Sequence, residues 1–304
     1  MFNKVIVPLD GSELAERALP SALQLGARHE AEVVLLRVSV PEKVLVPDTH
    51  VAGGYGLLWP DQSLEQSRAE AEEYLRALSR ARVSPGQPVR LEVVEGSVAE
   101  EILEAAAREH ADLIVMSSHG YSGVTRWVLG SIAEKVLPAA PCPVLVLRGE
   151  RPLRRFLVPL DGSELSERAL TPALAAAAVL GAEVTLLRVL TPVPAAEKEQ
   201  LDTRERGLGE RLEGEIRQAA EESLRAALAR RPTPGVTVRL AVEYGPAAET
   251  ILQYAETHHM DVIAMSTHGR AGLSRWLYGS VTEKVLHGGR HSMLVVRPQA
   301  PRLN

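Results

Sequence analysis

A single cysteine, Cys142, serves the whole chain of 304 residues. An internal disulfide is therefore excluded, and the count fits a reducing compartment. Lysine is nearly absent: Lys4, Lys43, Lys135, Lys198 and Lys284 are the full set, so arginine carries almost all the positive charge. No basic block stands out and the net charge is −5, which argues against a nucleic-acid surface. No apolar run reaches the length needed to span a bilayer. The opening "MFNKVIVPLD" enters a strand pattern at once, with no signal-peptide pattern, so the expected location is the cytoplasm. There is no Gly-Lys-Ser/Thr phosphate loop and no nucleophile-elbow motif, which is poor ground for an enzyme. What remains, 45% hydrophobic and 24% charged, has the balance of a globular protein.

What the chain does contain, it contains twice. "VPLDGSELAERAL" from Val7 returns as "VPLDGSELSERAL" from Val158, and "AEVVLLRV" from Ala31 returns as "AEVTLLRV" from Ala182. "VRLEVVEGSVAEEIL" is answered by "VRLAVEYGPAAETIL", and "PVLVLR" by "MLVVRP". The order is the same in both halves. This is a duplicated domain, and the boundary falls near "RGERPLRR", giving domains 1–149 and 150–304.

Each half alternates short β-branched runs with helical patterns. In the first, strands are expected at 5–9, 33–38, the "VRLEVVEG" run, the "DLIVMS" run and 144–147. Helices are expected at 12–29, along "SLEQSRAEAEEYLRALSRAR", at 98–109 and from Ser131. Near-continuous apolar strands separated by helices indicate an α/β fold: two tandem doubly wound domains, each a five-stranded parallel sheet with helices on both faces. Ligands of such sheets bind beyond the carboxyl ends of the strands, where strand order reverses.

Two loops follow such ends: "MSSHGYSGVTRWVLGS" from Met116 and "MSTHGRAGLSRWLYGS" from Met265. Small residues there let main-chain N–H groups approach a ligand. Each loop leads through Gly130-Ser131 or Gly279-Ser280 into a helix whose first turn reads Ser-x-x-Glu. Either the pair is simply a capping box, or the helix start receives a phosphate. Asp10 and Asp161 end the first strand of each half; such a carboxylate either caps the next helix or accepts a ligand hydroxyl. His119 and His268 have no second His or Cys at a useful spacing, so neither is assigned a catalytic or metal-binding role.

Taken together, "VPLDGSELAERAL", "DLIVMSSHGYSGVTRWVLGSIAEKVL" and "CPVLVLR" resemble the universal stress protein domain, and both halves do so along nearly their whole length. The resemblance implies the adenine-nucleotide α-hydrolase-like fold and, in one branch of the family, ATP, alone or with Mg2+. It places the nucleotide against Pro8, Asp10, Val38, Ser117, His119, Gly120, Gly130 and Ser131. In the second half it points to Pro159, Asp161, Val189, Ser266, His268, Gly269, Arg270, Gly279 and Ser280. Ser117 and Ser266 stand where the family motif has its first glycine, which weakens binding if that position requires a positive φ or a bare Cα against the ribose or phosphate; if only the N–H is used, serine is tolerated. Arg270, beside the expected phosphates, gives the second site an affinity at least equal to the first. Three functions follow as expectations: regulatory binding of adenine nucleotide, an interaction scaffold without nucleotide, or slow metal-dependent ATP hydrolysis. The open last strands of the halves are expected to pair into an intramolecular pseudo-dimer, able to form a homodimer and to meet further protein partners.

Overall fold

A computed structural model describes residues 2–27, 31–40, 44–47, 55–58, 61–118, 129–231, 235–267 and 279–297. The first half runs β1 (Lys4–Leu9), α1 (Glu13–Glu16), α2 (Leu19–Gly26) and β2 (Glu32–Ser39). A small antiparallel pair follows, β3 (Val44–Pro47) with β4 (Tyr55–Leu58). Then come α3 (Asp61–Arg82), β5 (Val89–Glu95), α4 (Val98–Arg108), β6 (Leu113–Ser117), α5 (Ser131–Val136) and β7 (Val144–Leu147). The second half repeats the plan with β8 (Arg155–Pro159), α6 (Glu164–Glu167), α7 (Leu170–Leu180) and β9 (Glu183–Leu190). It continues with α8 (Ala195–Arg204), α9 (Leu208–Ala229), β10 (Val238–Tyr244), α10 (Ala247–Thr257), β11 (Val262–Ser266), α11 (Ser280–Gly288) and β12 (Ser292–Val296).

These elements form two compact units, one drawn from residues 2–118 and 130–141, the other from 142–297. In the first, β6, β1, β2 and β5 lie side by side and parallel. In the second, β12, β11, β8, β9 and β10 form the expected five parallel strands. The fifth strand of the first half, β7, joins this second unit: it pairs antiparallel with β12, matching Val144 to Val295 and Val146 to Met293. Two apolar last strands thereby satisfy each other's hydrogen-bonding edges, as the sequence pattern leads one to expect. The strand interiors are fully buried, with Ile6, Leu35, Leu36, Leu113 and Ile114 in the first unit and Phe156 in the second.

The helix expected at 12–29 is two helices. Pro20 enters the first turn of α2, where a missing N–H is harmless, but it ends the hydrogen-bond ladder from α1. The second half breaks between α6 and α7 in the same way, with Pro172 in the first turn. At the opposite strand ends an aspartate fastens the first strand of each half. Asp112 Oδ2 accepts from the N–H groups of Asn3 (2.8 Å) and Lys4 (3.1 Å), and Asp261 Oδ2 does the same for Arg154 (2.8 Å) and Arg155 (2.9 Å).

In the first unit those ends also carry an ion network. Lys4 reaches Glu109 (2.9 Å) and Glu32 (3.1 Å), and Arg90 reaches Glu109 (2.7 Å), Glu92 (2.8 Å) and Glu32 (3.4 Å). The hydrogen bond from Lys4, aided by Arg90 and only partly opposed by burial, holds the Glu109 carboxyl below its ordinary range. A carboxyl depressed on folding contributes stability above its unfolded pKa and loses it as pH falls through the folded value. Glu109→Gln therefore lowers the urea midpoint at pH 7, and the gap to the unmodified protein closes below about pH 4. Equal gaps at pH 7 and pH 3 would show that the charge of Glu109 contributes nothing.

A cleft at the strand switch point

Strand order reverses at β1, which has β2 on one side and β6 on the other. Beyond the carboxyl ends of these strands lies a cleft of about 760 Å³, within the range of small-ligand sites. Its wall includes Pro8, Asp10, Val38, Ser117, Gly130 and Ser131. These are all the expected first-half site residues among the described ones; His119 and Gly120 lie outside them.

The geometry excludes the capping role that the local motifs left open. Asp10 is not the cap of α1: that role belongs to Ser12, whose Oγ accepts from the Ala15 N–H at 3.1 Å. Asp10 Oδ1 instead accepts from the N–H (2.9 Å) and hydroxyl (2.5 Å) of Ser12, which fixes the carboxylate at the cleft. Ser131 and Ser280 are not caps either. Gly130 and Gly279 occupy the cap positions in extended conformation, with no side-chain capping bond, so neither Ser-x-x-Glu box forms. The Gly130 N–H donates to the Ser118 carbonyl at 2.7 Å, drawing the start of α5 to the end of β6. The first intrahelical donor is the Glu134 N–H, which bonds the Gly130 carbonyl at 3.0 Å, so the N–H groups of Ser131, Ile132 and Ala133 have no intrahelical acceptor.

Ser117 and Ser266 are the last residues of β6 and β11, where the backbone is extended. Among the described residues only His110 and His259 combine a side chain with positive φ. A glycine's freedom is thus not required at either serine.

Several lining residues escaped the motif reading. Arg37 on β2 donates through Nη1 to the Leu9 carbonyl at 3.3 Å and lies 5.5 Å from the centre of the Tyr74 ring. Tyr74, on α3, donates its hydroxyl to Glu16 at 3.1 Å. Burial, reinforced by the Glu16 charge, pushes that hydroxyl far above its usual range, so it remains a neutral donor. Ser39 and Ser67 share a 2.6 Å hydrogen bond, and Gln66 and Glu70 complete a polar α3 wall. The available signal was the lone charged residue inside each "LLRV" strand run.

In the second half Pro159 ends β8 and Asp161 follows it, Val189 lies near the end of β9, and Gly279-Ser280 opens α11. His268, Gly269 and Arg270 lie outside the described residues. Arg188 repeats the bond of Arg37, donating to the Leu160 carbonyl at 3.3 Å. Burial pushes the Asp161 carboxyl up, but hydrogen bonds from Ser163 and Ser166 and the Arg188 charge outweigh it and hold the group below its ordinary range. Thr282 adds a bond to the Ser266 carbonyl at 3.1 Å, tying α11 to β11.

A model of the universal stress protein family matches the chain twice, over residues 1–148 and 152–297. The chain belongs to the universal stress protein family. A family member from Methanocaldococcus jannaschii is 34% identical over 149 residues, covering 49% of this chain and 83% of its own. One from Mycolicibacterium smegmatis is 26% identical over 307 residues and covers 97% of both chains, so the tandem arrangement recurs at full length. The crystal structure of a universal stress protein from Archaeoglobus fulgidus shares the fold, with a TM-score of 0.67 and 22% identity over 97% of this chain and 98% of that one. Among the described residues, no helix is long and apolar enough to cross a membrane.

Proposed function

We propose that this family member binds ATP or a related adenine nucleotide in the first-half cleft and at the matching strand ends of the second half, in a regulatory rather than a catalytic role. The observation that carries the reading is the convergence on one cleft of Pro8, Asp10, Val38, Ser117, Gly130 and Ser131, residues drawn from three strands and a helix start. In this reading Val38 offers its backbone to adenine, Asp10 receives a ribose hydroxyl, and Ser117, Gly130 and Ser131 face the phosphates. The extended backbone of Ser117 is compatible with it, because a serine incurs no conformational strain there. The antiparallel pairing of β7 with β12 supports an internal pseudo-dimer, and sedimentation would test whether a homodimer forms beyond it.

The first test is to denature freshly purified protein, identify released nucleotide by mass spectrometry, and titrate ATP into emptied protein by calorimetry. We expect ATP uptake that Asp10→Ala weakens about tenfold, equivalent to about 1.4 kcal/mol for a lost hydroxyl contact. Absence of both retained nucleotide and binding heat would favour the scaffold.

A further inference from the structure

We propose that Arg37 is a positioning residue for this cleft, holding the Asp10 loop in the geometry that receives a ligand hydroxyl. The inference rests on the adenine-nucleotide reading above. Five contacts close a ring around Asp10. Arg37 Nη1 donates to the carbonyl of Leu9, the residue before Asp10. The Arg37 guanidinium lies over Tyr74, and Tyr74 donates to Glu16. The Glu16 N–H donates to the Ser12 carbonyl at 3.2 Å, and Ser12 donates to Asp10.

Gly11, the pivot of this loop, has φ +81°, and a Cβ on it would stand 3.2 Å from Arg37 Nη1. The loop therefore bends tightly against the guanidinium, and only glycine adopts this backbone readily so close to it. The second half keeps the same device. Gly162 has φ +84°, a Cβ on it would stand 2.9 Å from Arg188 Nη1, and Arg188 reaches the Leu160 carbonyl. Tyr74 is replaced there by Ser223, and Glu167, in the place of Glu16, binds Arg230 and Arg231 instead. The arginine-to-carbonyl contact thus persists, as do the bonds from Ser163 to Asp161 and from the Glu167 N–H to the Ser163 carbonyl (3.2 Å), although the tyrosine link is lost.

A purely structural origin explains this arginine poorly. Nε of both Arg37 and Arg188 is buried without an acceptor, a cost that a simple apolar residue in either strand would avoid. Nη1 is aimed at the Leu9 carbonyl and at Gly11, that is, at the Asp10 loop. Arg37 consequently acts through the aspartate and on the nucleoside part of the ligand.

The test is a double-mutant cycle, read by calorimetry with ATP and with adenosine in an Asp161→Ala background so that the first cleft dominates. Arg37→Met is expected to weaken ATP and adenosine alike, about tenfold. Combined with Asp10→Ala it should add little to the loss that Asp10→Ala alone produces. Arg37→Lys keeps a cation able to reach the Leu9 carbonyl; it should recover part of the affinity and safeguards the test if the methionine variant folds poorly. A loss confined to ATP would assign Arg37 to the phosphates and overturn the inference. Losses that simply add, or no loss, would overturn it as well. If the unmodified protein takes up neither ligand, the adenine-nucleotide reading itself falls, and this inference with it.

Discussion

Phe156→Ala is expected to lower the stability of the second unit by about 3–5 kcal/mol, the range for emptying a buried phenylalanine site. Phe156 is fully buried on β8, a strand hydrogen-bonded on both sides, with Val184 of β9 and Val262 of β11 as its register partners. Such a position has little freedom to collapse around a void, because neighbouring strands fix its backbone. The first half carries Val5 at the matching place, also fully buried, so a smaller side chain is compatible with the fold itself. Phe156→Val should cost less than the alanine change, because fewer buried atoms are removed. Urea unfolding followed separately for the two units gives the answer. A loss equally divided between both transitions would show that Phe156 does not belong to one core.

The second large effect is expected at Arg148, which follows β7. Its N–H donates to Ser292 Oγ at 3.1 Å, a partner 144 positions away. Its guanidinium donates to the carbonyls of Leu286 (2.5 Å) and Gly289 at the carboxyl-terminal end of α11. Those carbonyls belong to the negative end of the helix, where a cation is favoured and the last groups lack intrahelical donors. Burial lowers the Arg148 pKa to about 10, so the group is still charged at neutral pH. Arg148→Met preserves much of the apolar stem and strips two carbonyls of their donor. We expect a loss of about 2–4 kcal/mol and earlier hydrogen exchange at the β7 and β12 amides. Unchanged exchange there would mean that strand pairing alone holds this edge.

Much of this arrangement was legible in the sequence because duplication marks equivalent positions. Two copies of "VPLDGSEL" and of "LLRV" identified the strand ends, and parallel strands place their carboxyl ends on one side, so the cleft followed. The capping motifs misled for a physical reason. Ser-x-x-Glu describes a box only if serine precedes the first helical residue; here glycine takes that place and serine is already inside the helix. The meaning of Ser117 also lay beyond composition, since a serine is strained there only if the backbone takes a positive φ, and β6 stays extended. Arg37 was visible as a charge within an apolar strand, but its purpose depends on Leu9, Gly11 and Tyr74, which converge only when β1, β2 and α3 pack.

The β7–β12 pairing has a consequence for the order of synthesis. Val144 leaves the ribosome long before its partner Val295, with the entire second half of the repeat between them. During that interval β7 presents an unfilled edge to whatever strand is nearest, including β12 of a neighbouring nascent chain. Crowded translation on one message would thus favour exchange of β12 between chains, whereas slow, dilute synthesis favours pairing within one.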